Sequence, residues 1–181
     1  LIAYPTDSGY ALGWRSNNRK ARDRVIRLRG LDRHHHFTYC CRSLSEVGQL
    51  VKVQNSDHRL IRQLTPGPYT FILNATREVP RRLQNPKRKT IRLRVPDNRI
   101  TQAILETFGD PMMSVTLIMP DDELPLTESY DMRDILVTEV DVIVDGGHCG
   151  FEATTVIDLV DDVPVVIRKG KGDISFMVSD E

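Results

Sequence analysis

The sequence predicts one α/β domain, a twisted open mixed sheet with flanking helices. Strand patterns alternate with helix patterns over the first two thirds of the chain, and two strand patterns adjoin near its end. Strands that are separated by helices tend to pair in parallel, and two strands that follow each other directly tend to form an antiparallel hairpin. We therefore expect both kinds of pairing in one sheet. The chain has 181 residues, 40% of them apolar, enough for one buried core. We find no internal repeat or linker and therefore predict a single domain over residues 1–181.

The first element is a short apolar strand over residues 1–4, which leads into the stretch YPTDSGYALG at positions 4–13. Pro5 lacks a backbone donor and is expected to end the strand. The oxygen-bearing side chains of residues 6–8 can bind the backbone of a glycine-containing turn or a small polar ligand. Local spacing by itself favours a plain strand, turn and second strand over a ligand site.

Helices follow this stretch on both sides of a short strand. The asparagine pair at 17–18 can cap a helix that ends at Gly30, with either residue as the cap. Residues 37–41 are largely apolar and predict a buried strand. Ser43 and Glu46 have the spacing of a capping box, which predicts a second helix to about residue 51.

A third helix, over residues 56–64, ends at a Pro-Gly-Pro turn before a strand over residues 69–73. The strand predicted over residues 90–95 alternates cleanly, with aliphatic side chains on one face and Arg92 and Arg94 on the other. Two arginines on one strand face suit the binding of a carboxylate or phosphate. They suit the protection of a solvent-facing edge strand equally well.

The remaining elements are delimited by capping residues and glycines. They are a helix over 98–108, a central strand over 112–119, an acidic surface loop over 120–130, a helix over 131–137, a strand over 140–144, and two strands over 155–160 and 163–168. A tight Asp161-Asp162 turn joins the last two strands, which we expect to pair with each other.

The formal net charge of zero hides a division between the two halves of the chain. Residues 1–99 contain 21 Lys and Arg against 7 Asp and Glu, whereas residues 100–181 contain 4 against 18. Basic tracts that share one face would attract the phosphates of a nucleotide or of RNA. Alternatively, the basic tracts form separate faces exposed to solvent, or they pair with the acidic half of the chain.

Cys40, Cys41 and Cys149 do not form a disulfide framework, which predicts a reducing compartment and a cytoplasmic protein. Histidines at 34–36 lie near the first two, but no zinc-ligand spacing is present, and we predict no bound metal there. No apolar run approaches the ~18 residues of a membrane span, and no leader is visible. The chain starts inside a strand without Met, so we expect a further segment before Leu1.

Six segments, taken together and in order, resemble the YrdC/YciO family, and its YciO branch most closely. They are YPTDSGYALG at 4–13, TPGPYTFIL at 65–73, TIRLRVP at 90–96, VDVIVDGG at 140–147, TTVIDL at 154–159 and VIRKG at 166–170. The resemblance implies a twisted open α/β sheet with a concave, positively charged face that binds double-stranded RNA or tRNA.

The better understood members of this family are threonylcarbamoyl-AMP synthases. They join L-threonine, bicarbonate and ATP, release pyrophosphate, and serve threonylcarbamoyladenosine formation on tRNA. The resemblance therefore implies ATP with Mg²⁺, L-threonine and RNA as ligands. In that reaction the carbamate formed on the threonine amine attacks the α-phosphate, so cations must bring two anions together.

The resemblance also implies site residues. The family's Lys-x-Arg falls on Arg27 and Arg29, which are the expected catalytic cations. The expected threonine-binding residues are Ser8, Arg94, Thr116 and Thr154, and the expected nucleotide-binding residues are Arg29, Thr90 and Arg168. The basic half of the chain supplies the residues expected to bind RNA, which are Arg82, Arg88 and Arg92.

Two positions depart from the family pattern. Ile118 stands where the family has Asn, and Cys41 stands where a His of the threonine pocket is expected. Isoleucine can neither donate nor accept a hydrogen bond, a loss of about 1–3 kcal/mol if a ligand depends on it. We therefore predict a synthase-like nucleotidyltransferase of weak or altered activity. The alternatives are an RNA-binding protein without catalysis and a protein that binds a small metabolite without turnover.

Overall fold

A computed structural model describes residues 1–177, in which nine strands form one mixed sheet flanked by five α-helices. The strands are β1 (Ile2–Thr6), β2 (Gly9–Arg15), β3 (Thr38–Cys40), β4 (Tyr69–Asn74), β5 (Thr90–Arg94), β6 (Met112–Thr116), β7 (Val142–Ile143), β8 (Thr155–Asp158) and β9 (Val165–Arg168). The helices are α1 (Arg19–Arg29), α2 (Leu44–Leu50), α3 (Asn55–Leu64), α4 (Arg99–Phe108) and α5 (Ser129–Leu136). The predicted fold class is confirmed.

The strand order across the sheet is β7-β1-β2-β6-β3-β5-β4-β8-β9. The pairs β1–β7, β3–β5 and β4–β8 are parallel, and the other neighbouring pairs are antiparallel. As predicted, β8 and β9 pair with each other. The last four residues of the predicted domain lie outside the described residues.

One face of the sheet is the main hydrophobic core. Its central residues lie directly opposite one another on neighbouring strands, as Tyr39 does with Leu93, and Leu93 with Phe71. These side chains are almost fully buried, together with inward-facing residues of α1, α2, α3 and α5. The residues that alternate with these along each strand must point their side chains to the other face of the sheet.

The opposite face of the sheet is only partly covered. Tyr4, Ala11 and Met112 pack with Leu105 of α4 in a second, smaller cluster. Beyond this cluster the strands present mostly small or polar side chains, including Thr38, Thr70 and Ser114. Small side chains on this face leave a concavity.

Local capping signals determine three helix ends. Asn18 accepts a hydrogen bond from the backbone of Ala21 and is the cap of α1, which settles the choice between Asn17 and Asn18. Gly30 ends α1 in the left-handed conformation, and Asn98 caps α4 through the backbone N–H groups of its first turn.

Two details of the local predictions are wrong. Pro5 lies inside β1 rather than at its end, because its missing donor faces the side where the two-residue strand β7 has already stopped. The capping box at α2 does not form. The Glu46 carboxylate instead accepts a hydrogen bond from the backbone N–H of Arg42 at 2.9 Å, and Ser43 makes no side-chain cap.

The edge-strand alternative for β5 is also wrong, since β5 lies between β3 and β4 in the middle of the sheet. Within residues 1–177, no helix combines the length and apolar character needed to cross a bilayer. All three cysteines are buried and free, and the same residues contain no cluster of three potential metal-ligating side chains.

Candidate functional site

A cavity of about 380 Å³ occupies the uncovered face of the sheet. Its walls come from β1, β2, β3, β4, β5, β6, β8 and β9 and from the C-terminal end of α1. Four arginines and two histidines line it: Arg29, Arg92, Arg94, Arg168, His35 and His36. No Asp or Glu of residues 1–177 belongs to this lining, so the cavity favours an anionic ligand.

The turn between β1 and β2 forms the hydroxyl-rich end of the cavity. Thr6 Oγ1 donates to the carbonyl oxygen of Gly9 at 2.6 Å and accepts from the backbone N–H of Ser8 at 3.0 Å. Gly9 has a φ of 117°, and a side chain there would meet the carbonyl oxygen of Gly150 at 2.9 Å. The turn therefore requires glycine at this position.

Arg94 reaches this turn from β5. Its Nη1 donates to Ser8 Oγ at 2.7 Å, and its Nη2 donates to the Asp7 carboxylate. The side chains of Arg94 and Asp7 are 8% and 9% exposed, so this is a buried ion pair. The charge of Arg94 is therefore largely offset by Asp7.

Arg29 reaches the cavity from the last turn of α1. Its Nη1 donates to the carbonyl oxygen of Thr116 at 2.6 Å, while its buried Nε has no hydrogen-bond partner within residues 1–177. Burial lowers the pKa of Arg29. An anion in the cavity would offset this cost of burying a charge.

Arg168 lies at the rim, at the end of β9. Its Nε donates to the carbonyl oxygen of Thr154 at 3.0 Å, and its Nη2 donates to Thr154 Oγ1 at 3.1 Å. Thr154 Oγ1 also lies 2.8 Å from Thr70 Oγ1. Partial burial and then the charge of Arg92 lower the pKa of Arg168. These contacts orient the guanidinium without neutralising it.

His35 and His36 line the cavity and are exposed to solvent, so we call this part of the cavity its mouth. Burial lowers the pKa of both imidazoles, and the charge of Arg92 lowers it further. Arg29 contributes to the shift at His35. Both rings are therefore mostly neutral at pH 7 and become cationic more readily once an anion neutralises the arginines.

The two departures from the family pattern lie on different faces of the sheet. Ile118 lines the cavity close to Thr116, and its side chain offers no hydrogen-bonding group at this position. Cys41 is buried in the main core, and the thiol that lines the cavity belongs to Cys40. Burial raises the pKa of Cys40 to about 11, which keeps it a neutral thiol.

The comparisons with known proteins agree with this geometry. The Sua5/YciO/YrdC family model, which carries the description "telomere recombination", matches residues 1–170. The chain belongs to the Sua5/YciO/YrdC family.

Two members of the Sua5/YciO/YrdC family show where this chain stands within it. Escherichia coli YciO is 50% identical over 174 residues, which cover 96% of this chain and 84% of YciO, and its crystal structure matches with a TM-score of 0.90. The threonylcarbamoyl-AMP synthase of Pyrococcus abyssi is 26% identical over 173 residues, which cover 94% of this chain and 50% of that protein. The structure of P. abyssi Sua5 complexed with L-threonine matches with a TM-score of 0.83 at 25% identity, over 94% of this chain and 50% of that one. The predicted family, including the likeness to YciO, is confirmed, and the similarity to the synthases is distant.

The residues expected from the Sua5/YciO/YrdC resemblance do not all meet at the cavity. Ser8, Arg29, Arg94, Thr116, Thr154 and Arg168 do line it. Arg27 does not, so the structure does not bring it to the expected catalytic position in the cavity. Two residues along an α-helix are about 200° apart, so Arg27 is exposed to solvent while Arg29 turns inward.

Thr90 lies outside the cavity at the first position of β5. It lines a smaller adjoining cavity of about 60 Å³, which shares His36 and Arg92 with the main one. Because Thr90, Arg92 and Arg94 alternate on one strand, they form a row along the same face. The expected nucleotide contact at Thr90 would require a ligand that extends along this row.

The three arginines expected to bind RNA are dispersed. Arg92 lines the main cavity. Arg88 is paired with the Asp158 carboxylate at 2.8 Å. Arg82 lines a groove of about 250 Å³ outside the cavity mouth, and this groove shares His35 and His36 with the main cavity.

Sequence reasoning missed the roles of Asp7, His35 and His36. Asp7 was considered only as one of three polar residues in a turn, and its partner Arg94 lies 87 residues away. The positions of the histidines in the sequence suggest only metal ligands. Their proximity to Arg92 depends on the pairing of β3 with β5, which no local pattern reveals.

Proposed function

We propose that this protein is a threonylcarbamoyl-AMP synthase-like nucleotidyltransferase, with L-threonine, bicarbonate and ATP as substrates. The single observation that carries the proposal is the cavity where four arginines meet the hydroxyls of Ser8 and Thr154. The distant similarity to threonylcarbamoyl-AMP synthases supports it. A cavity of about 380 Å³ lies within the range of small-molecule sites.

The two ends of the cavity suit different parts of the reaction. The hydroxyl-rich end, with Ser8 and Thr6, offers directional hydrogen bonds to L-threonine. The cationic part, with Arg29, Arg92 and Arg168, offers charge to the phosphates. The carbamate oxygen bonds to the α-phosphorus as the bond to pyrophosphate breaks, and fixed guanidinium groups stabilise the charge that shifts to the leaving oxygen.

The lining does not fit a resident Mg²⁺ ion. Magnesium prefers carboxylate and other oxygen ligands, whereas the described lining contains no carboxylate and has Ile118 beside Thr116. We therefore assign Mg²⁺ no place among the protein's side chains and treat it as a counter-ion that arrives with ATP.

The test is pyrophosphate release from ATP in the presence of L-threonine and bicarbonate. We expect release that depends on both co-substrates, and a reduction of about 10- to 100-fold in Arg168→Ala, since one positioned cation is lost. Arg27→Ala is the matched control because it removes an exposed arginine, and its rate should equal that of the unchanged protein.

A rate equal to the blank without threonine would contradict the proposal. If ATP and threonine raise the melting temperature without turnover, the protein binds small metabolites only.

RNA binding is a second candidate function, favoured by the groove outside the cavity mouth. The groove is lined by Arg22, Arg33, Arg81, Arg82 and the three histidines His34, His35 and His36. A groove lined by four arginines beside the cavity suits the phosphate backbone of a tRNA.

Affinity for tRNA should therefore fall steeply with salt, and Arg82→Glu should weaken it by about tenfold. Arg62→Glu, an equal change of charge on α3 away from the groove, is the control and should have a smaller effect. Binding that is insensitive to salt, or equal losses in both variants, would exclude this groove as the RNA site.

A further inference from the structure

Asp7 connects three distant parts of the chain through buried or backbone contacts. Its Oδ1 accepts from Arg94 Nη2, and its Oδ2 accepts from the backbone N–H of Asp97 at 2.9 Å. Its carbonyl oxygen accepts from Lys171 Nζ. The carboxylate therefore fixes the guanidinium of Arg94 relative to both the first turn and the start of α4.

The fixed guanidinium of Arg94 determines which hydrogen bonds the Ser8 hydroxyl can make. Arg94 Nη1 donates to Ser8 Oγ, so the Ser8 hydroxyl keeps its own hydrogen free to donate. Thr6 Oγ1, 3.2 Å away, can accept that hydrogen in the absence of ligand, because Thr6 uses its own hydrogen on Gly9. Arg94 is itself already paired with Asp7 and is poorly suited to bind a second carboxylate.

We propose that Asp7 is a positioning residue, which acts through Arg94 to present the Ser8 hydroxyl as a hydrogen-bond donor to an acceptor group of the substrate. The identity of that substrate as L-threonine rests on the proposed function. Arg94 then serves to orient Ser8 and not as the main anion-binding cation, a role left to Arg29, Arg92 and Arg168.

The positioning step can be tested without any ligand. In NMR spectra of ¹⁵N-labelled protein, the Nη2 hydrogen of Arg94 that is donated to Asp7, assigned with Arg94→Lys, should be protected from exchange. Asp7→Asn should abolish this protection. Asp97→Asn, which removes an exposed carboxylate from the next turn, should preserve it. Protection that persists in Asp7→Asn would overturn the proposal.

The consequence for Ser8 can be tested by calorimetric titration with L-threonine and with ATP. Asp7→Asn and Ser8→Ala should each weaken threonine binding roughly tenfold, and the double variant should lose no more than either single variant. ATP affinity should stay within about twofold in Asp7→Asn.

Two outcomes of the titration would overturn the proposal. Additive losses in the double variant would mean that Asp7 and Ser8 act separately. Tighter threonine binding in Asp7→Asn would mean that Asp7 merely masks the charge of Arg94. If the unchanged protein binds no threonine, the proposed function fails, and the exchange measurement alone decides the role of Asp7.

Discussion

Ile118 places an apolar side chain in a wall of the cavity where the neighbouring Thr116 supplies a hydroxyl. A bound phosphate or a water on that wall would find no hydrogen-bonding group at Ile118. At the scale of one residue, this position is where the chain differs most from what the proposed reaction requires.

Ile118→Asn should therefore raise the rate of pyrophosphate release. One additional hydrogen bond to a charged group contributes about 1.5–3 kcal/mol, which corresponds to a gain of roughly tenfold or more. Ile118→Leu keeps the volume without the polar group and should leave the rate unchanged. An equal rate in the Asn variant would mean that this wall does not contact the phosphates.

The histidines at the cavity mouth predict a dependence on pH. Burial, Arg29 and Arg92 hold the pKa of His35 below its usual 6.5. A bound anion offsets the two arginines, so binding takes up a proton, and affinity for inorganic pyrophosphate should rise between pH 8 and pH 6, by at most about tenfold per pH unit.

The effect on folding stability has the opposite sign. The unfolded chain binds the His35 proton more readily than the folded one, so without ligand stability should fall as pH drops below 6.5. His35→Gln should flatten both profiles. A pyrophosphate affinity that stays constant from pH 8 to pH 6 would contradict the linkage between His35 and the anion site.

At the scale of the element, α1 shows how a local signal positions a distant side chain. Asn18 starts the helix and Gly30 ends it, and this length brings Arg29 to the cavity in the last turn. The sequence predicted the end at Gly30 and narrowed the start to Asn17 or Asn18. Helical periodicity separates Arg27 from Arg29, whereas the resemblance to the Lys-x-Arg motif of the family places both at the site.

Asn18→Ala should destabilise the protein by about 1 kcal/mol, because the backbone N–H of Ala21 loses its acceptor. Asn17→Ala is the matched control, since Asn17 is equally exposed but does not cap the helix, and it should change stability by less than about 0.5 kcal/mol. Urea denaturation measures both. Equal losses would mean that the helix start is not fixed by one cap.

Strands were harder to predict than helices for a physical reason. The alternation in β5 correctly assigned Arg92 and Arg94 to one face. It could not reveal whether that face met solvent or a cavity, because strand order depends on contacts between distant segments. The same dependence explains why the strand predicted over residues 140–144 is reduced to Val142–Ile143 at the sheet edge.

At the scale of the whole molecule, the cavity needs segments that lie far apart in the sequence. The first turn supplies Ser8, and the last strand supplies Arg168. The segment after that strand returns to the first turn, where Lys171 donates to the carbonyl oxygen of Asp7 across 164 positions of sequence. The close passage of this segment over β8 depends on Gly170, whose Cβ would lie 2.5 Å from the carbonyl oxygen of Thr154.

Gly170→Ala should displace the segment that follows β9 and thereby disrupt the hydrogen bonds between Arg168 and Thr154. We expect a loss of about 1–3 kcal/mol of stability and a weaker affinity for ATP. Gly150→Ala is the control, because a Cβ there meets no atom within 4 Å. Thermal unfolding and ATP titration measure both effects, and unchanged ATP affinity in Gly170→Ala would show that the final segment does not shape the pocket.

The tie between Lys171 and Asp7 has a consequence for protein synthesis. Lys171 is added to the growing polypeptide 164 residues after Asp7, so the cavity stays incomplete until β9 and the segment after it have been made. The proposed substrates can meet the complete cavity only after this segment has folded back onto the first turn. Messages cut short before β9 would accordingly yield chains that have most of the sheet but no wall at Arg168.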